Sequence, residues 1–122
     1  MDREELCERV LLELAHHVGK LNAIDRWVLA VRIFGTGADI PKSDDNHFDR
    51  RIRRVVEVLR GRGNLICNLG DGRGWYLAGS DEEYRAFRAV YGSHALPIME
   101  TIHAMDKRAQ EQWPNALQPR LL

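Results

Sequence analysis

The sequence predicts a mainly helical protein that carries one small β-hairpin, which is an α+β fold class. Two observations lead to this prediction. Much of the chain places apolar residues at three- and four-residue spacing, as amphipathic helices do. In the middle, the short apolar runs NLICNL and WYLA are separated by the glycine-rich stretch GDGRG, as in a hairpin. The 122 residues are enough for one compact domain and too few for two ordinary ones.

Two helices and a loop are predicted before the hairpin region. The first helix is expected over residues 2 to about 19, because apolar residues recur every four positions up to Val18. Asp25 is a suitable N-cap for a second, short helix, and Gly35 is placed to end it. Residues 36–47 combine Pro, Ser, Asp and Asn without apolar periodicity, so they predict a loop, which is long for a connection between two packed helices.

The third predicted helix, at about 46–62, concentrates arginine on one side. Its apolar residues share a stripe that is expected to face the core: Phe48, Ile52, Val55 and Leu59. The opposite side carries Arg50, Arg53 and Arg54, with Arg51 on the flank. Asp49 and Glu57 are expected near this arginine face, where they would weaken its positive charge.

Charge is unevenly distributed along a chain whose formal net charge is zero. Between residues 48 and 79, seven arginines oppose three acidic residues, a local net charge of +4, so the remainder carries −4. Zero net charge argues against a protein that binds nucleic acid through positive charge over its whole surface, but it is compatible with a local positive surface. Arg73 adds a positive group at the predicted tip of the hairpin.

The last part of the chain predicts a long helix with an interruption. Ser80 and Glu83 have the spacing of a capping box, so the helix is expected to begin there. A heptad pattern of apolar residues follows at Tyr91, Ala95, Ile98, Ile102, Met105 and Ala109. Gly92 and Pro97 predict a kink or a break, with Ser93 capping the second half. The tail from Trp113 has no period and is expected to be loosely ordered or docked by its apolar residues.

No motif supports an enzyme, a metal site or a bound cofactor. Cys7 and Cys67 lie outside any CxxC pair and are expected to be reduced thiols in the core. The histidines at positions 16, 17, 47, 94 and 103 lack the spacing of metal ligands. GDGRG is not followed by a helix with Lys-Ser/Thr, so a hairpin turn explains it better than a phosphate loop does.

Targeting signals and ligand motifs are not apparent in the sequence either. No run approaches the roughly 20 apolar residues of a membrane span, and the first residues lack the layout of a secretory signal. No small-molecule ligand is evident. The expected location is the cytoplasm, which would be that of the host cell if the protein is phage-encoded.

The stretch FDRRIRRVVEVLRGRGNLICNLGDGRGWYL resembles the winged helix-turn-helix pattern of biotin-repressor-type DNA-binding domains. The resemblance rests on the arginine-bearing third helix, the exit at Leu59-Arg60-Gly61-Arg62-Gly63, Ile66 on the first wing strand, and the return strand Gly74-Trp75-Tyr76-Leu77. Together with GKLNAIDRW, SDEEY and SHALPIMETIHAM, it extends to small phage and prophage proteins with a winged helix and an appended C-terminal helix, over about residues 5–110.

The resemblance implies three parts of the chain. Residues 1–79 would form the winged-helix domain, residues 80–112 a C-terminal helical extension that serves dimerisation or packing, and residues 113–122 a tail. Such a protein would bind duplex DNA through the third helix and the wing, at about 64–78, in phage transcription or replication. The alternative is a protein-interaction or assembly module that uses the same scaffold without nucleic acid.

The predicted DNA-binding residues lie on the third helix, just before it and on the wing: Ser43, Asn46, His47, Arg50, Arg51, Arg53, Arg54 and Arg73. The arginines suit phosphates and guanine edges, whereas the first three would add polar contacts. A homodimer is expected through Tyr91, Ile98, Ile102 and Met105, although the same stripe could instead pack on the first helix of its own chain.

Overall fold

The computed structural model describes residues 1–35, 46–69 and 72–115. The protein is mainly helical with a small antiparallel sheet, which confirms the predicted α+β class. In chain order the elements are α1 (Arg3–Leu14), a 3-10 turn (Lys20–Asn22), β1 (Ile24–Asp25), α2 (Arg26–Phe34), α3 (His47–Gly61), β2 (Ile66–Asn68), β3 (Gly74–Leu77), α4 (Asp81–Ser93) and α5 (Leu96–Gln112). They form two compact units: Met1–Phe87, and a second that begins at Arg88 within α4.

The core of the first unit lies between α1, α2, α3 and the sheet. Val10, Leu29, Ile52 and Leu59 are at most 1% exposed, and Ile66 of β2 closes the core from the sheet side. Each such side chain stabilises the fold by about 1.5–3 kcal/mol through removal from water. The apolar stripe predicted for the third helix therefore does face the core.

Asp25 and Gly35 cap the two ends of α2, as the sequence predicted. The Asp25 carboxylate accepts hydrogen bonds from the backbone N–H groups of Trp27 (2.8 Å) and Val28 (3.2 Å), two of the donors that a helix start leaves without partners. Gly35 adopts a left-handed conformation with φ of 66°, which glycine adopts without the strain that a Cβ causes. The sequence predicted both caps.

The first helix is shorter than predicted. It ends at Leu14, whereas the sequence indicated a helix to about Gly19. Residues after it bond to β3 instead: the Leu77 N–H donates to the His17 carbonyl (2.9 Å), and the Gly19 N–H donates to the Leu77 carbonyl (2.8 Å). Val18 therefore lies beside β3 and is 46% exposed, so its helical spacing from Leu14 was coincidental.

The hairpin exists as predicted, but it belongs to a three-stranded sheet of order β1-β3-β2. The additional strand, β1, is two residues long and places Ile24 opposite Trp75 and Asp25 opposite Gly74. A Cβ on Gly74 would lie 2.8 Å from the Ile24 carbonyl oxygen, so this position requires glycine. The tip residues 70–71 lie outside the described residues.

The predicted interruption of the C-terminal helix is a complete break. α4 ends at Ser93 and α5 begins at Leu96, with Pro97 in the first turn of α5. The expected cap was wrong: Ala95 occupies the N-cap position, and the Ser93 hydroxyl donates to the Val90 carbonyl (2.6 Å) instead. The predicted loop at 36–47 falls mostly on residues 36–45, and the tail mostly on residues 116–122, both outside the described residues.

Glu83 joins the start of α4 to the segment between α1 and β1. The Ser80 hydroxyl accepts from the Glu83 N–H (3.1 Å), as one half of a capping box requires. The Glu83 carboxylate, however, accepts from the backbone N–H groups of Lys20 (2.9 Å) and Gly79 (2.8 Å). These two hydrogen bonds favour the ionised carboxylate and lower the pKa of Glu83 below its usual value.

We expect the Glu83→Gln variant to be less stable than the wild type at pH 7, with a difference that disappears in acid. A carboxyl whose pKa is lowered by folding stabilises the protein above its unfolded pKa, near 4.5, and loses that contribution as pH falls through the lowered folded value. Urea unfolding of both proteins at pH 7 and well below pH 4.5 measures the difference in their free energies of unfolding. Glu82→Gln, in the same helical turn, is the control. A loss of stability in Glu83→Gln that is the same at both pH values would contradict the stabilising role of the ionised Glu83 carboxylate.

Candidate nucleic-acid interface

The candidate interface is the solvent-facing side of α3. Ile52, Val55, Val56 and Leu59 turn into the core, and the side chains opposite them point to solvent because successive helical residues lie about 100° apart. The exposed residues of this side are Arg50, Arg53, Arg54 and Glu57, and Arg51 is half-buried on the flank toward α1. The structure therefore places the four arginines predicted on the third helix along one side and one flank of α3.

Asp49 does not lie on this exposed side, as the sequence suggested, but is completely buried. Its carboxylate is paired with the Arg26 guanidinium, whose Nε donates to Oδ1 at 3.1 Å, and with Arg53 Nε, 3.1 Å from Oδ2. Arg26 is itself largely buried, with 15% of its side chain exposed. A buried carboxylate persists only when it is paired and hydrogen-bonded, and here two arginines satisfy it.

Glu57, the second acidic residue near the arginines, is also engaged. Its Oε1 accepts from Arg60 Nη1 at 2.8 Å. Arg60 is held at the edge of the sheet, where its Nε donates to the Ile66 carbonyl (2.8 Å) and its guanidinium lies over the rings of Trp75 and Phe87. Arg60 therefore belongs to the packing between α3, β2 and β3, and it draws Glu57 toward that edge.

Arg50 and Arg54 retain uncompensated charge within the part of the chain that the structure describes. Across residues 1–35, 46–69 and 72–115, neither guanidinium forms a hydrogen bond or an ion pair. The two residues are four apart, so their side chains emerge from adjacent turns of the same helix face. Arg53 lies between them, 45% exposed, with its Nε held by Asp49.

A shallow groove of about 300 Å³ extends this positive surface toward α1. Its lining residues are Arg3, Leu6, Arg51, Arg54, Val55 and Val58. Arg51 is fixed by a hydrogen bond from Nη2 to the Met1 carbonyl (2.7 Å) and by its position over the Phe34 ring. Glu4, next to Arg3, is bound by both Nη atoms of Arg62 (2.6 and 3.0 Å), which lowers the pKa of its carboxyl.

The three polar residues predicted around the start of α3 have different positions. Asn46 is 6% exposed and is the N-cap: its Oδ1 accepts from the Asp49 N–H at 3.0 Å, so its side chain is committed to the helix start. His47 is exposed and packs edge-on against the Phe48 ring. Ser43 lies outside the described residues.

Arg73 is exposed immediately before β3, the strand that returns from the hairpin tip. Its carbonyl accepts from the Arg26 N–H at 2.7 Å, which joins the hairpin to the first residue of α2. Since the Arg26 side chain binds Asp49 of α3, one residue connects the hairpin, α2 and α3. Sequence analysis did not identify Arg26, because the partners lie 23 residues apart and no local pattern relates them.

Other kinds of site find little support in the described part of the chain. No group of three or more His, Cys, Asp and Glu side chains is placed to hold a metal ion there. None of the helices described has both the length and the apolar character that a membrane crossing requires. Cys7 and Cys67 are buried thiols, and burial raises the pKa of Cys67, which disfavours its reactive thiolate form.

Comparison of the chain with models of known protein families, with curated proteins and with solved structures finds no match. The resemblance to winged-helix domains therefore remains a prediction from the sequence. Helices combined with a small antiparallel sheet occur in many folds, and a fold does not determine a function.

We expect Asp49→Asn to destabilise the protein by about 3 kcal/mol, because breaking a buried pair leaves the largely buried Arg26 charge without its carboxylate. Chemical denaturation measures the change. Glu57→Gln is the matched control: it removes an acid from the same helix, but its carboxylate is 58% exposed, so the loss should stay below about 1 kcal/mol. Equal losses in the two variants would show that the burial of Asp49 has no special energetic role.

Proposed function

We propose that this protein binds double-stranded DNA through the exposed side of α3. The observation that carries the proposal is the pair Arg50 and Arg54, which are exposed on adjacent turns and lack an acidic partner in the described chain. The two acids of the helix, Asp49 and Glu57, are engaged by other arginines. The positive charge of this face is therefore available to an anionic partner.

The chemistry of arginine suits this partner. A guanidinium group binds a phosphate through parallel N–H donors, and it pairs bidentately with the O6 and N7 atoms of guanine in the major groove. α3 has 15 residues and is about 22 Å long, and the major groove of B-form DNA admits a helix of this kind. We assign Arg50, Arg53 and Arg54 to the duplex, with Arg73 of the hairpin as an additional backbone contact.

The groove beside α3 supports phosphate contacts at one edge of the interface. Arg54 lines both the exposed side of α3 and this groove, where Arg3 and Arg51 approach it. Phosphate contacts position a protein on DNA but do not read sequence. Arg3 and Arg51 would therefore fix the register of α3 on the duplex, while Arg50 and Arg53 approach base edges.

The order of three helices followed by a hairpin is consistent with the winged-helix resemblance of the sequence. On that resemblance, the DNA-binding activity would serve phage transcription or replication. A protein-interaction module without DNA binding is the competing function, and the binding measurements below distinguish the two.

We expect the double variant Arg50→Ala/Arg54→Ala to bind duplex DNA at least about tenfold more weakly and to lower the salt dependence of binding by about two ion equivalents, because two phosphate or base contacts are lost. Fluorescence anisotropy at several stated salt concentrations measures both quantities. Arg9→Ala/Arg88→Ala removes the same charge from exposed positions on α1 and α4 and is the control. Unchanged affinity in the α3 variant, or the same loss in the control, would exclude α3 as the contact surface.

Selection of bound sequences from random duplex DNA then tests the kind of binding. Enrichment of a motif that the Arg50→Ala/Arg54→Ala variant no longer enriches would indicate sequence recognition by α3. Salt-sensitive binding without a motif would indicate phosphate contacts alone. Absence of any binding by the wild type would favour the protein-interaction module.

A further inference from the structure

The second unit exposes an unusual amount of apolar surface. The large apolar side chains between residues 88 and 115 that are 41–66% exposed are Val90, Tyr91, Leu96, Ile98, Met99, Ile102, Met105 and Trp113. Single exposed apolar residues are ordinary on protein surfaces, but contiguous groups of them mark interaction sites. Three of them, Ile98, Ile102 and Met105, are contiguous on α5.

Ile98, Ile102 and Met105 form one stripe along α5. Their steps of four and three residues, continued by Ala109, keep the four side chains within about 60° of one another around the helix. Ile98 is 62% exposed, Ile102 41% and Met105 66%. The charged residues of α5 lie outside this stripe at Glu100, Asp106, Lys107, Arg108 and Glu111.

We propose that this stripe, which we call the α5 stripe, is a homodimer interface in which a second copy of the chain packs Ile98, Ile102 and Met105 against the same residues. The proposal does not depend on DNA binding, since the arginines of α3 take no part in it.

The available area fits a second copy. The stripe together with Tyr91 and Met99 leaves roughly 500 Å² of surface exposed per chain, so two copies that covered all of it would bury at most about 1,000 Å² in total, at the lower limit of specific interfaces. Ala109 is small, and small residues let two helices approach closely at that end of the stripe. The heptad spacing is the one that two helices need in order to pack side by side over several turns.

The charges that flank the stripe also fit a second copy. Three acids and two basic residues lie along α5, so the helix is nearly neutral and two copies would not repel each other strongly. A strongly charged partner protein would find little net complementary charge along α5. A like chain is therefore the occupant that both the area and the charge favour.

The test compares Ile102→Asp with Ala104→Asp in the full chain. Both variants introduce the same carboxylate, but Ala104 lies roughly 130° around the helix from the stripe. Sedimentation equilibrium over a wide range of concentrations should show a dimeric wild type, a dimeric Ala104→Asp variant, and an Ile102→Asp variant that dissociates at about 100-fold higher concentration, because its charge would be buried between the copies.

Three results would overturn the proposal. The first is a wild type that stays monomeric throughout the range. The second is an Ile102→Asp variant as dimeric as the wild type, which would place the interface elsewhere. The third is equal dissociation of both variants, which would show that dimerisation follows the helix content of α5 and not its stripe; circular dichroism of each variant records that content.

Discussion

The buried ion pair between Asp49 and Arg26 is the contact on which the arrangement of α2, α3 and the hairpin depends. The Arg26 side chain holds the first turn of α3, and its N–H binds the Arg73 carbonyl where β3 begins. Burial of a carboxylate costs several kcal/mol unless a positive partner is in place. Rotation or sliding of α3 would separate Asp49 from Arg26 and is therefore unfavourable. The orientation of the exposed arginines is therefore set from inside the protein.

The same contact determines how much positive charge reaches the surface. With Asp49 turned inward and Glu57 drawn to Arg60, the face of α3 presents Arg50 and Arg54 without an acidic partner among residues 1–35, 46–69 and 72–115. Of the 18 acidic residues that balance the charge of the chain, only Asp49 and Glu57 lie within residues 46–62. Because salt screens exposed charges beyond roughly 8–10 Å, a distant acid does little to cancel a local cluster. Zero net charge and a positive surface are thus compatible in one small protein.

Sequence patterns predicted most of the regular elements and the division of α3 into two faces, because helical spacing and capping residues act within a few positions. The patterns failed where the local structure is determined by contacts between residues far apart in the sequence. Val18 continued the spacing of α1, but the chain there bonds to Leu77, and β1 is too short to produce a period. Asp49 was expected at the surface because the helical spacing within α3 gives no sign of its ion pair with Arg26, which lies 23 residues earlier.

The α5 stripe bears on the stability of the helix that carries it. Isolated helices of this length are marginal in water, and α5 begins without a side-chain cap at Ala95. Most of a helix's stability in proteins comes from packing its apolar face, yet Ile98 and Met105 are more than half exposed in the single chain. A second copy that covers these side chains would stabilise the interface and the helix at once. Folding of α5 and association of two chains would then be coupled equilibria, each favoured by rising protein concentration.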